Sequence, residues 1–188
     1  MVRRLVGLSG SLGLKSKTRG LVEHAVDATR ARFAVTTAVY DLNDLQPSLG
    51  QAAHRHDLAP AATAILDDLI GADALVIGTP VYKGSYTGLF KHFFDLVEPD
   101  DLAGKPVLLL ATGGGRRHAL VIEHQLRPLF GFFEALTLPT GVYAEVSEFK
   151  GTEVCSLPLT ARLERAVGQF APWLETGTQT RRIAVASG

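Results

Sequence analysis

The sequence has a single cysteine (Cys155), one methionine, one tryptophan and no net charge. One cysteine excludes an intramolecular disulfide and fits a reducing compartment better than a disulfide-stapled secreted domain. Nineteen basic and nineteen acidic residues cancel, so no global field recruits nucleic acid or an anionic membrane. Any anionic ligand has to be held by local geometry. No apolar run approaches the roughly 20 residues of a membrane-spanning helix. Met1-Val2-Arg3-Arg4 enters an apolar strand without the apolar segment of a signal peptide. The expectation is a soluble, cytoplasmic protein with neither nucleic acid nor membrane as partner. His24, His92 and His124 are scattered. His54 and His56 lie two apart with no thiol or carboxylate cluster, so no metal site is expected. Ser9-Gly10-Ser11 is not the Gly-x-Ser-x-Gly nucleophile elbow, and no Ser–His–Asp arrangement is evident.

What is present is an alternation of strand and helix patterns. A chain of 188 residues, 46% hydrophobic, suits one domain over residues 1–175, burying roughly 70% of the surface exposed when unfolded. Apolar or β-branched runs at 4–9, 35–40, 74–78, 106–111 and 138–143 read as five strands. Helical patterns occupy 18–31, 60–72, 88–97, 117–136 and 159–175, with Pro60 near a helix start as helices prefer. Residues 41–57 read as a long polar connection broken by Pro47 and Gly50. The last segment, 176–188, lacks periodicity and is expected to form a flexible tail. Strands separated by helices imply a parallel sheet covered on both faces, an α/β three-layer sandwich. Strand order 2-1-3-4-5 places a ligand crevice beyond the carboxyl ends of strands 1 and 3.

Three loops meet that edge. The first, Ser9-Gly10-Ser11-Leu12-Gly13-Leu14-Lys15-Ser16-Lys17-Thr18, joins a strand to a helix N-terminus through small residues, hydroxyls and lysines. Backbone N–H groups and the positive end of the helix dipole there suit an anion. The loop is neither G-x-G-x-x-G nor G-x-x-x-x-G-K-[ST]. Its hydroxyls suit one phosphate monoester held by Ser11, Ser16, Lys17 and Thr18. A simpler alternative is a glycine turn capped by Ser16 or Thr18. The second loop contains Thr79-Pro80-Val81-Tyr82-Lys83, where Pro80 stiffens the backbone and Tyr82 offers a ring for a flat heteroaromatic ligand. The third, Ala111-Thr112-Gly113-Gly114-Gly115, offers unhindered N–H groups to ring acceptors.

With the first Gly-Ser, these motifs resemble the NADPH-dependent FMN reductase family, whose members are flavodoxin-like. The similarity spans about residues 4–175. It is closest to the reductases that supply reduced FMN to alkanesulfonate and methanesulfonate monooxygenases, through residues 79–96 and Leu102-Ala103-Gly104-Lys105-Pro106. The resemblance implies FMN and NADPH or NADH as cofactors. It puts Ser11, Ser16, Lys17 and Thr18 on the FMN phosphate, and Pro80, Val81, Tyr82 and Lys83 with Thr112, Gly113, Gly114 and Gly115 beside the isoalloxazine. Lys83 and the three-glycine loop are candidates for polarising the flavin. Many members carry Pro-Arg where this chain has Leu12-Gly13, so a phosphate-contacting arginine is missing, with Lys15 or Lys17 as substitute. Two other readings stay open: an FMN-bound quinone, azo or chromate reductase, and a flavodoxin-like electron carrier. Zero net charge speaks against the carrier.

Residues 119–136 contain 11 apolar residues of 18. At 100° per residue these cover more than half the helix circumference, beyond what one sheet can bury. The excess implies a homo-oligomeric contact that includes Phe133, minimally a dimer, with a tetramer made of two dimers expected. Pro128 should kink this helix. In the resembling reductases an insertion at this helix's start forms a π-bulge at the tetramer interface, and His118 sits at that position. The alternative for His118 is a surface histidine.

Overall fold

The computed structural model describes residues 2–13 and 15–175; the expected tail at 176–188 lies outside the described residues. The parallel strands β1 (Arg3–Ser9), β2 (Val35–Asp41), β3 (Ala74–Pro80) and β4 (Pro106–Gly113) pair in the order β2-β1-β3-β4. Two short strands, β5 (Leu136–Thr137) and β6 (Val142–Glu145), both pair with β4 and complete the 2-1-3-4-5 order. Leu5 pairs with Ala74 and Leu75 with Val107. The carboxyl ends of β1, β3 and β4 therefore share one edge.

Side chains alternate across the sheet and so build two cores. Val6, Leu8, Ile77 and Leu109 pack under Leu66 and Leu69 of α2 (Pro60–Gly71) and Phe90, Phe93 and Phe94 of α3 (Gly88–Asp95). Leu5, Val76, Leu108 and Leu110 pack under α1 (Lys17–Arg32) and α5 (Leu157–Gly168) through Leu21, Val22, Leu163 and Val167. Ser156 caps α5, whose pattern continues as a separate short helix, α6 (Ala171–Leu174).

Several expectations change. The fifth strand is split because Pro139 has no N–H to donate and the Arg127 guanidinium takes the carbonyls of Leu138 and Pro139, at 2.9 and 2.7 Å. Residues 42–52 are no mere polar connection: Leu42, Leu45, Leu49 and Ala52 are buried in the core. A small hairpin, β7 (Phe149–Lys150) with β8 (Glu153–Val154), follows β6.

The long helix expected at 117–136 is three shorter pieces. They are a 3₁₀ turn at Arg116–His118, a π turn at Ile122–Leu126 and α4 (Arg127–Phe132). Pro128 cannot donate to the carbonyl four residues back and its ring crowds that carbonyl. The chain before it widens, and the Arg127 N–H bonds Ile122 O, a π-type closure. The π turn therefore lies beyond His118, which the structure leaves outside it. Phe133 is also not on the outer face: it is 3% exposed and packs on Phe94. Leu120, Phe132 and Leu136 are the apolar residues left outside, Phe132 at 69%.

Candidate functional site

The loop leaving β1 begins with Gly10, whose N–H donates to Gly78 O at 2.6 Å. Ser11 is buried, its hydroxyl 2.8 Å from that of fully buried Ser9. Ser16 is the N-cap of α1, its side chain accepting the Arg19 N–H at 3.2 Å, as hydroxyl residues do at helix starts. Lys17 opens the helix, and Lys15 is exposed before it. Thr18 turns inward, and its hydroxyl lies 2.6 Å from that of Thr112; both are buried.

The second loop starts later than its sequence suggests, since Thr79 and Pro80 still belong to β3. Val81 donates its N–H to Thr112 O at 2.8 Å. Tyr82 and Ser85 exchange both backbone bonds, at 2.9 and 3.1 Å, around Lys83 (φ +53°) and Gly84 (φ +87°). Positive φ at both central residues is the geometry of a tight I′ turn. It projects Tyr82, 65% exposed, and Lys83 into solvent. Ser85 Oγ reaches Gln125 of the π turn at 3.1 Å. Thr87 caps α3 and donates its hydroxyl to Gly10 O at 3.1 Å.

In the third loop, Thr112 and Gly113 finish β4. A side chain at Gly113 would collide with the Tyr143 hydroxyl, whereas Gly114 and Gly115 face open space. Gly115 O accepts both the Tyr143 hydroxyl at 2.8 Å and the His118 N–H at 3.2 Å. These two bonds pin the glycine loop. Burial pushes the Tyr143 phenol up in pKa, keeping it a donor. His118 itself is half-buried in the 3₁₀ turn.

Thr18–Thr112, Val81–Thr112 and Thr87–Gly10 thus tie the three loops into one edge. The structure brings Thr18, Thr112 and Val81 together and sets Ser11 on Ser9, while Tyr82 and Lys83 stand in the exposed turn. Sequence reasoning passed over Ser9, Thr87, Gln125 and Tyr143. Thr87 before Gly-Leu-Phe carried a readable N-cap signal; Tyr143 carried none, because its partner is a backbone carbonyl.

The charges at the start of α1 are unevenly paired. Arg19, though in the first turn of α1, is held by Asp41 at 2.6 Å and Glu23 at 2.8 Å, and the Asp41 bond raises its pKa further. Among the described residues, Lys15 and Lys17 have no carboxylate partner. A neighbouring cavity of about 700 Å³ is bordered by Arg116, Ile122, Tyr143, Glu145, Glu148 and Arg162. Its charges are already paired, Arg116 with Glu145 at 2.8 Å and Arg162 with Glu148 at 2.9 Å. It flanks the hydroxyl-lined loops and contains none of their donors.

The family model for NADPH-dependent FMN reductases matches residues 3–149. The chain is 40% identical over 181 residues to an FMN reductase (NADPH) from Pseudomonas aeruginosa, covering 96% of this chain and 97% of that one. It is 42% identical over 173 residues to the NADH-dependent FMN reductase SfnF from Pseudomonas fluorescens, covering 92% of each. A solved structure of the NADH:FMN oxidoreductase EMOB in its apo form superimposes with a TM-score of 0.82 at 31% identity, covering 94% of this chain and 92% of that one. A Corynebacterium diphtheriae oxidoreductase gives 0.79 at 36%, covering 92% and 97%. The fold, the three tied loops and these likenesses agree: the chain belongs to the NADPH-dependent FMN reductase family.

Proposed function

We propose that the protein is an NAD(P)H-dependent FMN reductase that transfers a hydride from reduced nicotinamide to FMN. The observation that carries this reading is the 2.6 Å Thr18–Thr112 bond, which couples the start of α1 to the glycine loop after β4. The donor set fits FMN: hydroxyls and lysines at one end, bare backbone at Gly114 and Gly115 at the other, with open space beside both glycines. Ser11, Ser16, Lys17 and Thr18 would hold the phosphate. Pro80, Val81, Tyr82 and Lys83 would border one side of the ring and Thr112, Gly113, Gly114 and Gly115 another.

When bound, FMN supplies the ring that accepts a hydride, so the protein's own task is positioning. The N–H groups of the first turn of α1, capped by Ser16, would hold the phosphate. The glycine loop, fixed through Tyr143 and His118, would hold the ring. No acid–base dyad is needed, and these loops hold none.

The exposed Tyr82 turn leaves the site open, which suits a flavin that departs after reduction. We infer a cytoplasmic reductase that hands reduced FMN to a partner monooxygenase. We also infer a homo-oligomer, a dimer of dimers, built on the outer face of Leu120, Phe132 and Leu136. Among the described residues no helix is long and apolar enough to cross a membrane. Steady-state oxidation of NADH and NADPH tests the activity: the rate should rise with added FMN and saturate. An FMN-independent rate, or none with either nucleotide, contradicts it.

A further inference from the structure

His54 and His56, set aside on sequence grounds, acquire a carboxylate in the fold. They flank a 3₁₀ turn, Arg55–Asp57, whose closure is Asp57 N–H to His54 O at 3.0 Å. Asp57 bends back so that its Oδ2 lies 3.6 Å from His54 Nδ1 and its Oδ1 3.6 Å from His56 Nε2. The two imidazoles stack with centroids 5.2 Å apart and planes 10° from parallel. One donor atom from each of the three residues lies within 4.8 Å of the other two.

We propose that His54, His56 and Asp57 form a binding site for one divalent cation of the zinc, nickel or copper class. Two ligands each about 2.1 Å from a tetrahedral ion are about 3.4 Å apart. Each imidazole, 3.6 Å from its own oxygen of Asp57, needs to close by a few tenths of an ångström, and the two exposed rings turn out of their stack to bring their nitrogens, within 4.8 Å in this arrangement, onto one ion. Two imidazoles and one carboxylate suit borderline transition metals, whereas magnesium and calcium take oxygen ligands.

The turn is built to hold this arrangement. Asp57 Oδ2 accepts the N–H groups of Ala53 and His54 at 3.0 and 2.8 Å, orienting the carboxylate as outer partners orient metal ligands. The one cation inside the motif, Arg55, is drawn away by Asp67 at 2.7 Å and Asp101 at 3.3 Å. Ala52 and Leu58 are buried on either side, anchoring both ends of the turn. His54 and His56 are exposed, leaving the remaining coordination positions to water. His54, His56 and Asp57 belong to none of the three loops at the carboxyl edge, and uptake of the metal alone is read in the absence of flavin and nucleotide.

Titration calorimetry of the full chain with zinc chloride at pH 7.5 provides the test. Wild type should take up one ion per chain in a saturable step. His56→Ala and Asp57→Asn should each weaken it at least about tenfold, the order expected when a metal site loses support. Cys155→Ser and His124→Ala should leave it unchanged, and magnesium chloride should give no saturable heat. Zinc should also raise the melting temperature of wild type and not of His56→Ala. The proposal fails if wild type shows no saturable binding, if His56→Ala keeps wild-type affinity, if Cys155→Ser abolishes binding, or if magnesium binds as tightly.

Discussion

Replacing Thr18 by valine keeps the shape of the side chain and removes one hydroxyl from the pair that joins the first turn of α1 to the end of β4. The two oxygens are 2.6 Å apart, with Thr18 2% and Thr112 6% exposed. Little water can take the place of the lost partner. Leaving Thr112 unpaired should cost about 1–3 kcal/mol, the penalty of an unsatisfied buried hydroxyl. Thr112→Val should cost a similar amount, since it strands Thr18. The double variant removes both polar groups and should be destabilised by much less than the sum. The coupling should be about 1–2 kcal/mol, within the range for contacting residues. Urea denaturation of the four proteins, with midpoints compared at constant slope, measures it. In the same series FMN affinity should fall in all three variants, because the tie holds the two halves of the site together. Additive stability effects, agreeing within about 0.5 kcal/mol, would refute the claim that this bond couples the loops.

Other perturbations probe neighbouring parts of the account. Gly20→Ala should destabilise the fold in denaturant titration. Helix propensity favours alanine by about 1 kcal/mol, yet a Cβ there would stand 2.0 Å from the Thr152 carbonyl oxygen of the β7–β8 hairpin, a backbone clash at the upper end of the about 1–3 kcal/mol that overpacking costs, for a net loss of about 2 kcal/mol; a more stable variant would contradict this. Lys17→Ala should weaken FMN binding by about 1.5–3 kcal/mol and leave riboflavin, which lacks the phosphate, nearly unaffected; equal losses for both ligands would place the phosphate elsewhere. Phe132→Asp should lower the light-scattering mass, since it would bury a carboxylate without a partner in the proposed interface; a wild-type mass equal to a single chain would remove that interface.

The sheet was legible because β1, β3 and β4 are buried on both faces and read as unbroken apolar runs, and because parallel strands joined through helices restrict the topology. The three-loop edge followed from that order. What sequence could not show depended on partners distant in the chain. The break in the fifth strand comes from Arg127 capturing the Leu138 and Pro139 carbonyls. The π turn registers a conflict between Pro128 and ordinary helical bonding, visible as a kink signal without its form. Phe133 looked external in a uniform helical projection, but the π turn changes the phase and turns it onto Phe94. The β7–β8 hairpin did leave a mark, Lys150-Gly151-Thr152, with Gly151 at φ +63° between Phe149 and Val154, in strands only two residues long. Within the site, Ser11 and Thr18 were readable as hydroxyls beside a helix start. That Thr18 would face Thr112 required the register of β1, β3 and β4 together.

The central claim is that this edge carries hydride transfer from a reduced nicotinamide to FMN. Anaerobic stopped-flow mixing of the protein and FMN with NADPH, then with NADH, tests it most directly. Loss of the oxidised flavin absorbance should follow at a rate that saturates with at least one nucleotide and falls in Thr112→Val. Flavin that binds yet stays oxidised with both nucleotides would contradict the account and leave a one-electron carrier in its place.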